Sequence, residues 1–301
     1  MPHLNRGFEY REQLGAEAAG LQLLDYLCRQ YRHSSREEWR ARIESNLLLL
    51  QGNTAVPEVI LSAGQLLIWR RPPWQEPQAP LHFAILYMDA CLIGLAKPSG
   101  LPTIPGGGFL ENTLLSRVKR IYPEADPLHR LGRGTSGVVL FARTAESRSR
   151  LSAAWRRSEV VKVYRALISG VPDRDDFAVD APVGPVPHPI LGSVYAVSFQ
   201  GKPAHTRVRV LQRRAESSLV EVVIATGRPH QIRIHLAAAG HPLTGDTLYA
   251  PGGSPIEGTR ALPGDTGYWL HSERLEFQHP EWGKWMEITC SPPPPLRVSL
   301  P

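Results

Sequence analysis

The sequence predicts a mixed α+β chain in two parts: a small N-terminal α/β module and a larger, strand-dominated unit. Three observations carry that prediction. Apolar strand patterns succeed one another without regular βα alternation, which argues against a doubly wound parallel sheet. Amphipathic helical stretches interrupt the series only locally. A proline-rich segment, Arg71-Pro-Pro-Trp-Gln-Glu-Pro-Gln-Ala-Pro80, separates it from what precedes; proline lacks the donor for a sheet ladder and stiffens the path. The predicted organisation is therefore a module over residues 1–71, a linker over 72–80 and a main domain over 81–301.

Each element has a local reason. Residues 16–32 predict a helix with Leu23, Leu24 and Leu27 as its apolar stripe. A second helix follows Ser35-Arg36-Glu37-Glu38, a capping-box pattern in which hydroxyl and carboxylate each satisfy a free backbone N–H. Trp39 and Ile43 then share one face. Residues 47–50 and 65–70 read as short strands, with a turn at Gln51-Gly52-Asn53. Past the linker, 84–87 and 91–96 flank a turn at Met88-Asp89-Ala90, as in a hairpin. Strands are predicted over 138–141, 162–169, 194–199, 206–211 and 219–225. Helices are predicted over 146–157, with Leu151, Ala154 and Trp155 on one side, and over 229–239, with Gly240 at its stop. The Pro292–Pro295 run reads as an extended tail.

Charge narrows the partner. The 301 residues hold 34 Lys and Arg against 28 Asp and Glu, a net +6, and 29 of the bases are Arg. Residues 1–80 hold nine bases and nine acids, and 171–301 hold twelve and thirteen. Residues 81–170 hold thirteen and six, a local +7. Guanidinium forks match phosphate geometry, so this block points to a polyanion. No apolar run approaches the roughly 20 residues of a membrane helix; residues 81–96 come nearest and carry Asp89. The N-terminus lacks the apolar core of a secretory signal. Cys28, Cys91 and Cys290 are too dispersed for a metal knuckle and odd in number, as expected of free thiols in a reducing cytoplasm.

Three motifs need weighing. Gly132-Arg133-Gly134-Thr135-Ser136-Gly137 matches G-x-G-x-x-G, but the following Val138-Val139-Leu140-Phe141 reads as a strand, so the dinucleotide reading fails. His129, His230, His235 and His241 suggest a metal, yet His230 and His235 are five apart rather than the four that share a helical face, and no metal is expected. The segment Thr226-Gly227-Arg228-Pro229-His230-Gln231-Ile232-Arg233-Ile234-His235-Leu236 crowds polar groups at a helix start, a pattern suited to an anionic or base-rich ligand.

These motifs, in this order, resemble one family. Residues 83–288 resemble the RluA-type pseudouridine synthases, which isomerise uridine in RNA without a cofactor. The resemblance rests on Tyr87-Met88-Asp89 through Lys97-Pro98-Ser99-Gly100, on His129-Arg130-Leu131 through Thr135-Ser136-Gly137, and on Lys162-Val163-Tyr164-Arg165-Ala166. It continues through Gly201-Lys202-Pro203-Ala204, Gly227-Arg228 to His235, Gly240-His241-Pro242 with Gly245-Asp246, and Leu270-His271 to His279-Pro280. The N-terminal module is similar to the small S-four-like RNA-binding domain often attached to these enzymes. The resemblance implies a mixed, mainly antiparallel catalytic sheet, rRNA or tRNA as partner, and a cytoplasmic monomer without metal or membrane attachment. It implies that Tyr164 stacks on the target base and removes the proton from carbon 5. Arg130 enters the helix stack in place of the flipped nucleotide, and Arg233 pairs with the catalytic aspartate. His129, Arg133, Thr135, Lys97, Lys162, Arg165, Arg228, His230 and Gln231 are the implied RNA contacts.

One position departs. The family aspartate directly follows the His-Arg-Leu triplet, and here that slot is Gly132, which has neither nucleophile nor charge. Arg233 is then expected to lack its partner and to find a replacement, because a buried unpaired guanidinium is costly. Two readings follow. Either another acid (Asp126, Asp89 or Asp246) serves a working synthase, or the chain is an RNA-binding homologue that keeps the base pocket without the chemistry.

Overall fold

The computed structural model describes residues 4–188 and 192–299, and the chain divides between Glu76 and Pro77, inside the proline-rich segment. One unit is Met1–Glu76 with His188–Gly192; the other is Pro77–Pro187 with Ser193–Pro301. The first half of the expected linker is not free chain. Asn5 N donates to Trp74 O at 3.0 Å, and Asn5 Nδ2 donates to Glu76 Oε1 at 2.8 Å.

The first unit contains β1 (Phe8–Gln13), α1 (Leu23–Gln30), α2 (Arg36–Glu44), β2 (Leu48–Leu50), β3 (Asn53–Thr54) and β4 (Leu66–Arg71). Its antiparallel sheet runs β1-β4-β2-β3. The capping box forms as read: Ser35 Oγ accepts from Glu38 N, and Glu38 Oε2 accepts from Ser35 N. Leu23, Leu24, Leu27, Trp39, Ile43, Leu48 and Leu67 close one core. The helix expected over 16–32 is two pieces, a 3-10 turn at Ala16–Ala18 and α1. Gly20, at φ +81°, ends the turn in a conformation that glycine adopts without strain. β1 was invisible in its polar sequence, FEYREQ; only pairing with β4 makes it a strand.

The main unit continues with β5 (Ala84–Met88), β6 (Leu92–Lys97), α3 (Leu114–Lys119), β7 (Asp126–Pro127), β8 (Ser136–Ala142), α4 (Ala145–Arg156), β9 (Val161–Ser169) and β10 (Asp176–Val179). Then come β11 (Val183–His188), β12 (Gly192–Val197), β13 (Thr206–Arg213), β14 (Ser217–Ile224), α5 (Gln231–Ala238), β15 (Leu270–Gln278) and β16 (Trp285–Thr289). The large sheet runs β10-β13-β14-β9-β15-β8-β6-β5, with β16 on β15 and β7 on β8, while β11 and β12 pair separately. β8 and β15 pair in parallel and their other neighbours along the path antiparallel, so the mixed, mainly antiparallel sheet is present.

β8 is apolar from Val138 to Ala142 because both faces of the sheet are covered there. Val139 and Phe141 face a core shared with Leu114 and Val118 of α3 and Ile232 and Leu236 of α5. Val138 and Leu140 pack with Leu151 of α4, Phe277 and Ile288. Each such side chain contributes about 1.5–3 kcal/mol on burial. The proline run is no free tail: Pro294–Leu296 forms a 3-10 turn, and Leu296 packs on Leu167 and Leu219.

Candidate active site

Strand register sets the site. One row crosses the sheet, with Tyr164 opposite Ser272, Ser272 opposite Gly137, and Gly137 opposite Lys97. Gly137 has φ +111°, and a Cβ there would stand 2.1 Å from the Ser272 carbonyl oxygen. Only glycine permits that approach. The loop 132–135 therefore opens at one end of the sheet. Its turn closes by Thr135 N donating to Gly132 O at 3.0 Å, and a strand follows, so no helix N-terminus is offered to a pyrophosphate.

Lys97 holds this loop and does not face outward. It is 2% exposed, and its Nζ donates to the carbonyls of Pro98 (2.9 Å), Leu101 (2.7 Å) and Arg133 (3.3 Å). Burial pulls its ammonium down to about 7. Ser99 Oγ donates to Gly134 O at 2.7 Å and Thr103 Oγ1 to Leu131 O at 2.9 Å. The expected phosphate contact at Lys97 is thus corrected: its three donors are spent on backbone.

Arg233 has a replacement partner, as a buried guanidinium requires, and it is one of the three acids considered, Asp246. Its Nε and Nη2 donate to Asp246 Oδ2 at 2.7 Å and Oδ1 at 2.8 Å, and both side chains are nearly solvent-free. Nη1 donates to Pro263 O at 3.0 Å. Burial works against the charge, but the carboxylate and the neighbouring tyrosines outweigh it, and the Arg233 pKa moves up. Asp246 Oδ1 also accepts from Leu248 N and Tyr249 N, so it is a structural anchor rather than a free nucleophile. The Arg233 guanidinium carbon lies 5.0 Å from the Tyr249 ring centre and 4.4 Å from that of Tyr268. Neither tyrosine was singled out in the sequence. An Asp accepting from the N–H groups two and three residues on was a readable turn signal at Asp246; Tyr268 gave none.

The other acids lie elsewhere. Asp126 pairs with Ala142, five residues along β8 from Gly137, or about 17 Å at strand rise. It is engaged by Lys119 and Arg148. Asp89 sits by the same end, accepting from Tyr87 Oη, Cys91 N, Leu92 N and His279 Nε2. Neither can serve the Gly132 loop.

Burial also pushes the Tyr164 phenol up to about 12. At neutral pH its phenolate fraction is on the order of 10⁻⁵, so burial acts against the proton-removing role. Arg130 is exposed and makes no hydrogen bond or ion pair among the described residues. Burial, then the Arg233 charge, and least the Arg130 charge hold the nearby His230 imidazole at about 3. Several implied RNA contacts turn out to be framework. His129 stacks on Trp155 with centroids 4.9 Å apart and accepts from Leu140 N. Lys162 is buried and donates to Ala225 O. Arg165 pairs with Glu273 at 2.7 Å. Gln231 is buried, accepting from Thr226 Oγ1 and Arg228 N and donating to His205 O and Thr206 Oγ1. Thr135 is buried beside Tyr268. Arg133, Arg228 and His230 stay partly exposed; Arg133 and Arg228 are tethered to the carbonyls of Gly264 and Pro203. Among the described residues no group of three or more His, Cys, Asp or Glu is placed to hold a metal ion, and no helix is long and apolar enough to cross a membrane.

A sequence model of the family described as RNA pseudouridylate synthase matches residues 92–238, from β6 to α5. An uncharacterized RNA pseudouridine synthase of Synechocystis is 44% identical over 91% of this chain and 95% of its own length. The chain belongs to the RNA pseudouridine synthase family. A ribosomal large subunit pseudouridine synthase D of Nitrosomonas europaea is 38% identical over 66% of this chain and 59% of its own. The fold matches human RNA pseudouridylate synthase domain containing 1, with a TM-score of 0.58 at 23% identity over 74% of this chain and 89% of that one. Nothing in these relatives favours the binding-only alternative. Within this pseudouridine synthase the matched segment includes the 132–135 loop, Tyr164 and Arg233, but ends before Asp246 and Tyr268.

Proposed function

We propose that this chain isomerises uridine to pseudouridine in ribosomal or transfer RNA. The observation that carries the reading is the arrangement at one sheet end: the 130–135 loop with Arg130 and Gly132 exposed, the Tyr164 row behind it, and the buried Arg233–Asp246 pair beside it. The names of the relatives supply the reaction and favour large-subunit rRNA among the targets. The C1′–N1 glycosidic bond breaks, the freed base turns, and carbon 5 bonds to C1′ while its proton leaves and N1 gains one. Nothing is consumed, so no cofactor is needed. Arg130, exposed and unpaired, fills the stack vacated by the flipped nucleotide, whose extrusion costs a few kcal/mol. Arg133, Arg228 and His230 line the RNA side, and the Tyr164 ring, kept neutral by burial, supports the uracil.

The N-terminal unit acts in this reading as an S-four-like RNA-binding module. Support comes from two guanidiniums without carboxylate partners among the described residues, Arg42 and Arg71, at 5.3 and 5.9 Å from the Trp69 ring, beside exposed Phe8 and Tyr10. Such cation and aromatic groups suit phosphates and bases. The protein works as a monomer in the cytoplasm, with which its three free cysteines are consistent. The test is tritium release from RNA labelled at uracil carbon 5, taken from cells lacking the protein. Release is expected; its absence with every RNA overturns the reading.

A further inference from the structure

A tyrosine stands where a side chain at position 132 would point. Gly132 is exposed, and its φ lies outside the left-handed region, so its backbone accepts any residue. A Cβ built there would come within 3.1 Å of the Tyr268 hydroxyl oxygen and 3.6 Å of Thr135 Oγ1. Those two hydroxyls are 3.3 Å apart. At Gly134 a Cβ would press on Tyr268 Cε1 and Cζ at 2.9 Å. Two glycines of one loop thus leave room for one phenol.

The phenol is also held from behind. Arg233 and Arg133 donate to successive carbonyls, Pro263 and Gly264, gripping the loop that leads to Tyr268. Gly245, beside Asp246, approaches so closely that a Cβ would meet Gly267 O at 2.3 Å. The ring is 5% exposed and packs under the Arg233 guanidinium. Its hydroxyl is directed at the open space of Gly132.

We propose that the Tyr268 hydroxyl is the catalytic group that meets the ribose of the target uridine, in the space left by Gly132, with Thr135 orienting it. The assignment rests on the isomerisation reading above. Chemistry asks for an oxygen at that point: as the C1′–N1 bond breaks, the sugar becomes electron-poor, and a preorganised lone pair stabilises it. Either hydroxyl can donate in the contact with Thr135; in the proposed arrangement Tyr268 donates to Thr135 Oγ1 and turns its lone pairs to the open space. No covalent bond to the protein forms.

Single-turnover tritium release and RNA affinity, measured on the full chain with the RNA above, test this. Tyr268→Phe is expected to slow release about 100-fold, the cost of one preorganised polar contact, with RNA affinity and melting temperature little changed. Adding Gly132→Asp to Tyr268→Phe restores release at least in part, because the carboxylate enters the same space; no gain overturns the shared-space assignment. Thr135→Val slows release about fivefold, the scale of one hydrogen bond, and keeps the test decisive where Tyr268→Phe does not fold. Wild-type release with unchanged Tyr268→Phe, or with unchanged Thr135→Val in that second case, overturns the assignment alone. Wild-type protein without release overturns the isomerisation reading and this assignment with it.

Discussion

Arg233 shows how one buried charge organises its surroundings. A guanidinium with 4% side-chain exposure must be paired, and Asp246, at 1%, supplies both oxygens. Replacing Asp246 by Asn keeps the volume but leaves the cation uncompensated, an error that costs about 3–5 kcal/mol when one partner of a buried pair is removed. Urea unfolding of Asp246→Asn is therefore expected to show a loss of that size; a loss below about 1 kcal/mol, the range of surface pairs, would place the anchoring elsewhere. Gly132 becomes intelligible at the same scale. Its missing carboxylate does not strand Arg233, because the partner comes from a residue the triplet motif does not contain.

At the scale of elements, the site is two loops fastened to strand ends. Lys97, the last residue of β6, ties the turn at Pro98 and Leu101 to the loop at Arg133. Burial lowers its pKa from 10.5 to about 7. Between those values the unfolded chain holds a proton that the native chain has released, so stability rises with pH across the window. Below about 7 both states are protonated and the desolvation cost is fully present. The stability of wild type relative to Lys97→Met is thus expected to climb by up to about 1.4 kcal/mol per pH unit between these pKa values. A flat or falling difference in urea titrations would count against it. Strand β8 and helix α4 were readable because their apolar periodicity matches what they bury. Helix α3, six residues with Thr113 as its cap, is too short to show a period.

Over the whole molecule, the local +7 of residues 81–170 does not form a uniform basic face. Lys119 and Arg148 meet Asp126, Arg120 meets Glu111, Arg143 meets Glu124, Arg150 meets Glu146 and Arg157 meets Glu159. Lys97 and Lys162 are buried. The surplus emerges at Arg130 and Arg156, both exposed, and at the partly exposed Arg117 and Arg133. RNA binding should therefore depend on salt through a few contacts, falling about tenfold or more between 50 and 200 mM. Arg133→Ala is expected to lower the logarithmic salt slope by about one, as loss of one phosphate contact does. Filter binding at several ionic strengths measures both; a salt-independent affinity would exclude a phosphate-led interface.

The sequence by itself determined the family, the mixed sheet, the strand-forming run after Gly137 and the absence of a carboxylate at 132, since these rest on local pattern and residue identity. Only the tertiary structure decided which cations are free, which acid meets Arg233, and that Tyr268 enters the gap at Gly132. Those facts depend on contacts between segments far apart in the chain, Gly132 with Tyr268 and Lys97 with Arg133, and on burial, which turns a lysine or histidine from a surface ligand into framework.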